Sequence, residues 1–225
     1  MKKLALLLLI TVTLVTVSCS KDKDLSTPEP KEKIQTPPSS NDKGQTTPAS
    51  SVDSKAQTEM LKEINFLRSN PKGYAEKRLK PYYNKGEDNG AYKELIGTAP
   101  VKTLKLNSKL VSSAENYADV MAKKNKIGHT FGGGLGDRLH NFGYQWMGCG
   151  ENVAYGSYPY YNIEQDAKEA AIRYVILYVI DRGVAGVGHR KNLLKKSWTE
   201  VGVGFGKNRT SYFNAQQFAT GDFSK

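Results

Sequence analysis

Cysteine, histidine and long apolar runs are all scarce in this chain, and each shortage excludes something. Of its 225 residues only two are cysteines, Cys19 and Cys149. A disulfide framework is therefore excluded, and the folded part must be held by an apolar core. Only three histidines occur, His129, His140 and His189, and no His-Glu-x-x-His pattern is among them, so a helical zinc-protease site is absent. The glycine run Gly132-Gly133-Gly134 lacks the lysine and spacing of a phosphate loop and reads as a turn. The one long apolar run, Leu4 to Val17, is too short for a comfortable membrane span.

That run follows Lys2 and Lys3 and ends at Val17-Ser18-Cys19. A basic start, an apolar centre and a small residue before cysteine resemble a bacterial lipobox, which implies a signal peptide over residues 1–18 and a lipid-carrying N-terminus at Cys19. Residues 19–55 then read as a polar tether, rich in Ser, Thr, Pro, Lys and Asp and without an aromatic residue. Such a stretch cannot bury enough surface to offset the entropy of ordering. Its opening Ser20-Lys21-Asp22-Lys23-Asp24 is similar to the signals that send some bacterial lipoproteins to the cell surface. The expected location is the cell envelope, facing the periplasm or the exterior, with the membrane as a partner through Cys19.

The formal charge is +11. Lys2 and Lys3 leave with the signal, and six lysines balance six acids in residues 20–55, so the excess belongs to residues 56–225. A basic exported domain suits anionic lipid headgroups or acidic polysaccharide. Its lysines are scattered singly without an interleaved aromatic platform, so nucleic acid is not an expected partner.

Residues 56–225 are long enough for one domain with its own core. Met60, Ile64 and Leu67 recur at helical spacing, predicting a helix over Ala56 to Arg68 that Asn70-Pro71 stops. Another turn or two is expected over Gly73 to Leu79, and Lys80 to Ala99, with Gly86, Gly90 and Gly97, reads as irregular. Asn107 or Ser108 is a good N-cap for a helix whose stripe is Leu110, Ala114, Tyr117 and Met121. A short helix carrying an exposed His140 follows over Leu135 to Phe142, then a strand over Gly150 to Tyr155. Asn162 with Gln165 matches a capping box ahead of Ala167 to Ile180. There the almost wholly apolar run Ile172 to Ile180 leaves buried strand and buried helix open by periodicity, while the alanines, the cap and the length favour a helix packed on two sides. A glycine-spaced loop delivers His189, and Glu200 to Gly206 with Tyr212 to Ala219 reads as a closing hairpin.

Gly148-Cys149-Gly150-Glu151-Asn152-Val153-Ala154 lies between Gly128-His129-Thr130 and Gly188-His189-Arg190-Lys191-Asn192-Leu193-Leu194. Followed by Val201-Gly-Val-Gly-Phe205, this order of motifs resembles the CAP superfamily, the cysteine-rich secretory, antigen and pathogenesis-related proteins, from about Ala56 to Phe218. The resemblance implies an α+β fold, a three-layer α-β-α sandwich around a small, mainly antiparallel sheet. It also implies a cleft with two histidines, His129 and His189, and two acids. Glu151 is the first acid; Asp181 is the candidate for the second, with Glu169 the alternative. In several relatives such a cleft holds a divalent metal, often zinc, which makes Zn2+ or another divalent ion the cofactor implied here.

Two functions remain open at this point. One is a lipid-anchored extracellular binding module for a lipid, polysaccharide or protein ligand. The other is a metal-assisted hydrolase, a peptidase or esterase, in which Glu151 serves as base with His129 and His189 as its catalytic companions. Cys149 reads as a packing residue, since it precedes a strand and no helix N-terminus activates it. Asn152 reads as a satisfier of backbone groups.

Overall fold

The computed structural model describes residues 51–221, with side chains described from residue 54. The signal peptide, Cys19 and most of the tether lie outside the described residues. The first helix, α1 (Ser51–Ser69), starts within the span read as tether. Short helices α2 (Pro71–Tyr74) and α3 (Lys80–Tyr83) flank a π-helical turn at Ala75–Leu79. Helix α4 (Ala91–Ile96) follows, so Lys80 to Ala99 is more regular than its glycines suggest. Gly90 there takes a left-handed φ of 74° and introduces α4 instead of dissolving it.

Strand β1 (Lys105–Leu106) is two residues long, too short to leave a pattern. It precedes α5 (Ser108–Lys124), whose first backbone N–H groups are capped by the Asn107 side chain. The stripe Leu110, Ala114, Tyr117 and Met121 is fully buried. After α6 (Leu135–Asn141) come β2 (Cys149–Ser157) and α7 (Ala167–Ile180). The cap of α7 is the Asp166 side chain bonding Glu169 N; Asn162 instead closes the preceding turn onto the N–H groups of Glu164 and Gln165. His189 does not arrive on a loop. A 3-10 turn at Ala185–Val187 leads directly into α8 (Gly188–Leu194), which carries it. Strands β3 (Glu200–Lys207) and β4 (Ser211–Ala219) form the closing hairpin.

The four strands lie in the order β1-β3-β4-β2. β1 is parallel to β3, and the other two pairings are antiparallel. On one face, Val201, Val203 and Phe205 join the main core formed with α1 and α7. On the other, Gly202, Gly204 and Gly206 lie against the α5 backbone: a Cβ at these positions would come 2.1 Å from Leu110 C, 2.1 Å from Ala114 C and 2.4 Å from Ala118 O. The spacings match, because four helix residues rise about 6 Å and two strand residues about 6.6 Å. Strand β3 thus alternates between side chains for one helical layer and bare backbone for the other. The result is an α-β-α sandwich with a small mixed sheet.

Replacing Gly204 by Ala should therefore force α5 off the sheet and cost at least about 3 kcal/mol, the upper end for overpacking. Gly97→Ala is the control, since a Cβ there meets nothing closer than 3.7 Å and φ is −93°. Denaturant midpoints of the two variants check this, and equal midpoints refute it.

Candidate functional site

Glu151 and Asn152 are adjacent on β2, so their side chains leave opposite faces of the sheet. Glu151 points toward the α5 and α6 layer. Its Oε2 receives the ring Nδ1 of His129 at 2.9 Å. Its Oε1 accepts from the Arg138 guanidinium at 2.6 Å and from the Gln217 amide at 3.0 Å. The carboxylate is almost wholly buried, at 3 % side-chain exposure, while His129 keeps 16 %. A carboxylate this deep needs a counter-charge, and Arg138 supplies it.

Arg138 also fixes the loop that carries His129. It donates to the carbonyls of His129 and Gly133, both at 2.9 Å, and its guanidinium lies 3.5 Å from the centre of the Tyr117 ring. The Tyr117 hydroxyl donates to Gly128 O at 2.6 Å. Burial, with Glu151 nearby, pushes that phenol up to about 12, so it stays a donor at neutral pH. Helix α5, α6 and β2 thereby hold one imidazole from three sides.

The second pair is built at the α7–α8 junction. Asp181 sits just past the end of α7 in a left-handed conformation, φ 52°. Its Oδ1 takes the ring Nδ1 of His189 at 2.7 Å, and its Oδ2 accepts His189 N at 2.9 Å and Arg190 N at 3.4 Å. One carboxylate thus orients the imidazole and caps the start of its helix. The Tyr178 ring lies 5.1 Å from the His189 ring. Arg190 ties α8 down, donating to Val179 O at 2.7 Å, Asn89 O at 3.1 Å and the Glu94 carboxylate at 2.5 Å.

Asn152 bridges the two halves. Its amide donates to His189 O and to Gln216, both at 3.3 Å, and its oxygen accepts from Asn192 at 3.1 Å. Both pairs lie beside β2, one of the two edge strands of the described sheet. A cavity of about 30 Å³ lies at the His189–Asp181 pair, lined also by Ile127, Val153, Tyr155 and Tyr178 among others; it is mostly apolar and holds no more than a water or a methyl-sized group.

The candidates thus fall into two imidazole–carboxylate pairs, His129 with Glu151 and His189 with Asp181. Glu169 stands apart, exposed on the first turn of α7 and paired with Arg173 at 3.1 Å. His140 is exposed on α6. Cys149, the first residue of β2, is half-buried against the Leu110, Leu139 and Tyr144 cluster. Arg138, Gln217, Tyr117 and Arg190 are site-building residues that spacing did not reveal. The sequence signal was the set of polar residues Asn214, Gln216 and Gln217 among the apolar ones of the last strand.

Residues 61–223 match the family described as cysteine-rich secretory protein, or CAP. The chain belongs to that family. Among solved structures it is similar to an extracellular protein with an SCP domain from Bacillus anthracis str. Ames, at 19 % identity and TM-score 0.48, covering 83 % of this chain and 45 % of that one. It therefore spans under half the length of that protein. An outer surface protein of Borrelia burgdorferi matches at 16 % identity and TM-score 0.40, with coverages of 64 % and 92 %. A venom allergen-like protein of Schistosoma mansoni matches at 17 % and 0.43, with coverages of 76 % and 91 %. Among curated proteins none matches.

A metal in such a cleft would find a restricted donor set. Both imidazoles use Nδ1 on a carboxylate, which leaves Nε2 facing outward from each pair, the arrangement that orients metal-ligating histidines. Both carboxylates already accept from two or three donors. Among the described residues no group of three or more His, Cys, Asp or Glu is placed to hold an ion. Each pair can offer an ion one imidazole Nε2, and the described residues do not make a closed four-ligand zinc site.

Glu151→Ala leaves the buried Arg138 guanidinium without its charge partner and should cost about 3–5 kcal/mol. A double-mutant cycle with Arg138→Met checks it; if the two losses simply add, the pair is not coupled.

Proposed function

We propose that this CAP-domain protein is exported, anchored to a membrane through lipidated Cys19, and acts outside the cytoplasm as a binding module. Its binding cleft is the edge of β2 between the two imidazole–carboxylate pairs. The observation that carries this reading is the use of both Nδ1 atoms. Each ring is held at Nδ1 by a buried carboxylate, so Nε2 is the nitrogen each ring could offer a ligand. His129 and His189 would hold a divalent ion there through Nε2, and such an ion would supply Lewis acidity toward an oxygen-bearing ligand. Family membership supports the cleft without fixing its chemistry. Among the described residues no helix is long and apolar enough to cross a membrane, which accords with attachment through a lipid.

The hydrolase alternative asks Glu151 to accept a proton from water. Both of its oxygens already accept hydrogen bonds, one of them from a guanidinium 2.6 Å away, so the geometry suits orienting His129 better than general-base work. Binding is the better-supported function.

Zinc at about 100 times its dissociation constant should stabilise the protein by about 2.7 kcal/mol, roughly 5–10 °C in Tm for a domain of this size. His129→Ala and His189→Ala should each abolish the shift. An unshifted wild type sinks the metal part of the reading, and turnover of peptides or esters that Glu151→Gln removes would restore the enzyme. Separately, Cys19→Ala should move the protein from the membrane fraction to the soluble one. Unchanged partitioning refutes the anchor.

A further inference from the structure

The fold brings the lysines at the C-terminus of α5 and the arginine of the β3–β4 turn to one end of the molecule. Helix α1 sets which end that is. Arg68, near its C-terminus, reaches the carbonyls of Lys102, Leu193 and Lys195 beside the start of β3. Met60 receives the Gln216 amide, and Gln216 lies opposite Val203 in mid-sheet. From Met60 back to Ser51 the helix rises about 13 Å, the same distance that β3 travels from Val203 to Lys207. The chain therefore enters the domain at the end where the β3–β4 hairpin turns.

Three further segments meet at that end. Asn208, on the hairpin tip, donates to Ala122 O at 3.4 Å and to Asn125 Oδ1 at 2.8 Å, which seats the tip on the C-terminus of α5. Tyr158 N donates to Thr210 O at 3.0 Å, which seats the loop after β2 on the same tip. Exposed Lys123, Lys124 and Lys126 project from the end of α5, and exposed Arg209 from the tip. Tyr160, on the loop, is 61 % exposed, with the Arg173 guanidinium 5.4 Å from its ring centre. The acids at this end do not cancel these cations. Glu164 is paired with Lys207, Glu169 with Arg173, and Asp166 caps α7.

We propose that this end of the domain lies on an anionic lipid bilayer. Four exposed cations at the same end as an outward tyrosine match such a surface, because each cation near an anionic leaflet is attracted to it and tyrosine settles at the headgroup level. The choice of a bilayer over another polyanion rests on the reading of Cys19 as the anchor: a tether that joins the domain here brings this end close to the membrane, so weak contacts act at high local concentration.

The test uses the chain from Ser20 onward, which keeps every described residue and lacks the leader and the lipid. It should co-sediment with phosphatidylcholine vesicles containing phosphatidylglycerol, not with phosphatidylcholine alone, and should release at about 0.5 M salt, where screening is short-ranged. The combined variant Lys123→Gln, Lys124→Gln, Lys126→Gln and Arg209→Gln should weaken binding by roughly two orders of magnitude or more, about fivefold per charge. Tyr160→Ala should weaken it several-fold. Neutralising Lys102, Lys105 and Lys196 at the opposite end should leave it within about twofold, allowing for distant charge. The proposal is overturned by equal binding to neutral vesicles, by an equal loss in the opposite-end variant, or by binding to soluble acidic polysaccharide without binding to vesicles. Because lipidation plays no part in this assay, its failure is separate from a failure of Cys19→Ala to release the protein from membranes.

Discussion

The contact on which the rest depends is backbone against backbone, α5 on β3. Three alternate glycines remove the side chains that would hold a helix about 10 Å from a sheet, and α5 settles directly on the strand. That seat fixes Tyr117, whose hydroxyl holds Gly128 O and whose ring lies under Arg138. Arg138 in turn fixes the His129 carbonyl, the Gly133 carbonyl and Glu151. The position of one imidazole thus descends, through three contacts, from a pattern of missing Cβ atoms on another strand.

The sheet is unusual in carrying polar side chains through its centre. Glu151, Asn152, Asn214, Gln216 and Gln217 are all buried, and each finds partners: Asn214 reaches Gly204 O and accepts from Tyr178, and Gln217 donates to Glu151. A buried ion pair such as Glu151–Arg138 roughly breaks even against apolar residues of the same shape. Its consequence is therefore geometric more than energetic. An apolar pair would fill the space and leave the ring of His129 free to turn.

The sequence showed more of the frame than of the site. The stripes of α1 and α5 and the closing hairpin were legible, because a helix or strand buried on one side must repeat its apolar residues at the element's own period; α7, apolar on nearly every side, has no such stripe, and only its alanines and length spoke for a helix. The motif order also placed His129, Glu151 and His189 in one family of clefts. Strand β1 was not legible, since two residues carry no period, and α8 was hidden by the glycines around Gly186 and Gly188. Arg138 escaped for a different reason: a buried cation in a seven-residue helix looks like any surface arginine until its partner, thirteen residues on in another element, is known. Asp181 was a candidate by position, yet its double role, orienting His189 and capping α8, depends on a left-handed backbone that an aspartate rarely announces.

The His129–Glu151 pair and the hairpin end lie apart along β2. Along β2, Glu151 lies six residues from Ser157, and Ser157 pairs with Ser211 at the hairpin end. Six strand residues span about 20 Å. With the hairpin end against a bilayer, the Glu151 carboxylate would stand about that far above the headgroups, beyond the roughly 8–10 Å reach of surface charge at physiological salt. The cavity beside His189 reaches back toward the hairpin end through Tyr155 and Ile127, so a ligand there would lie nearer the membrane than the His129–Glu151 pair.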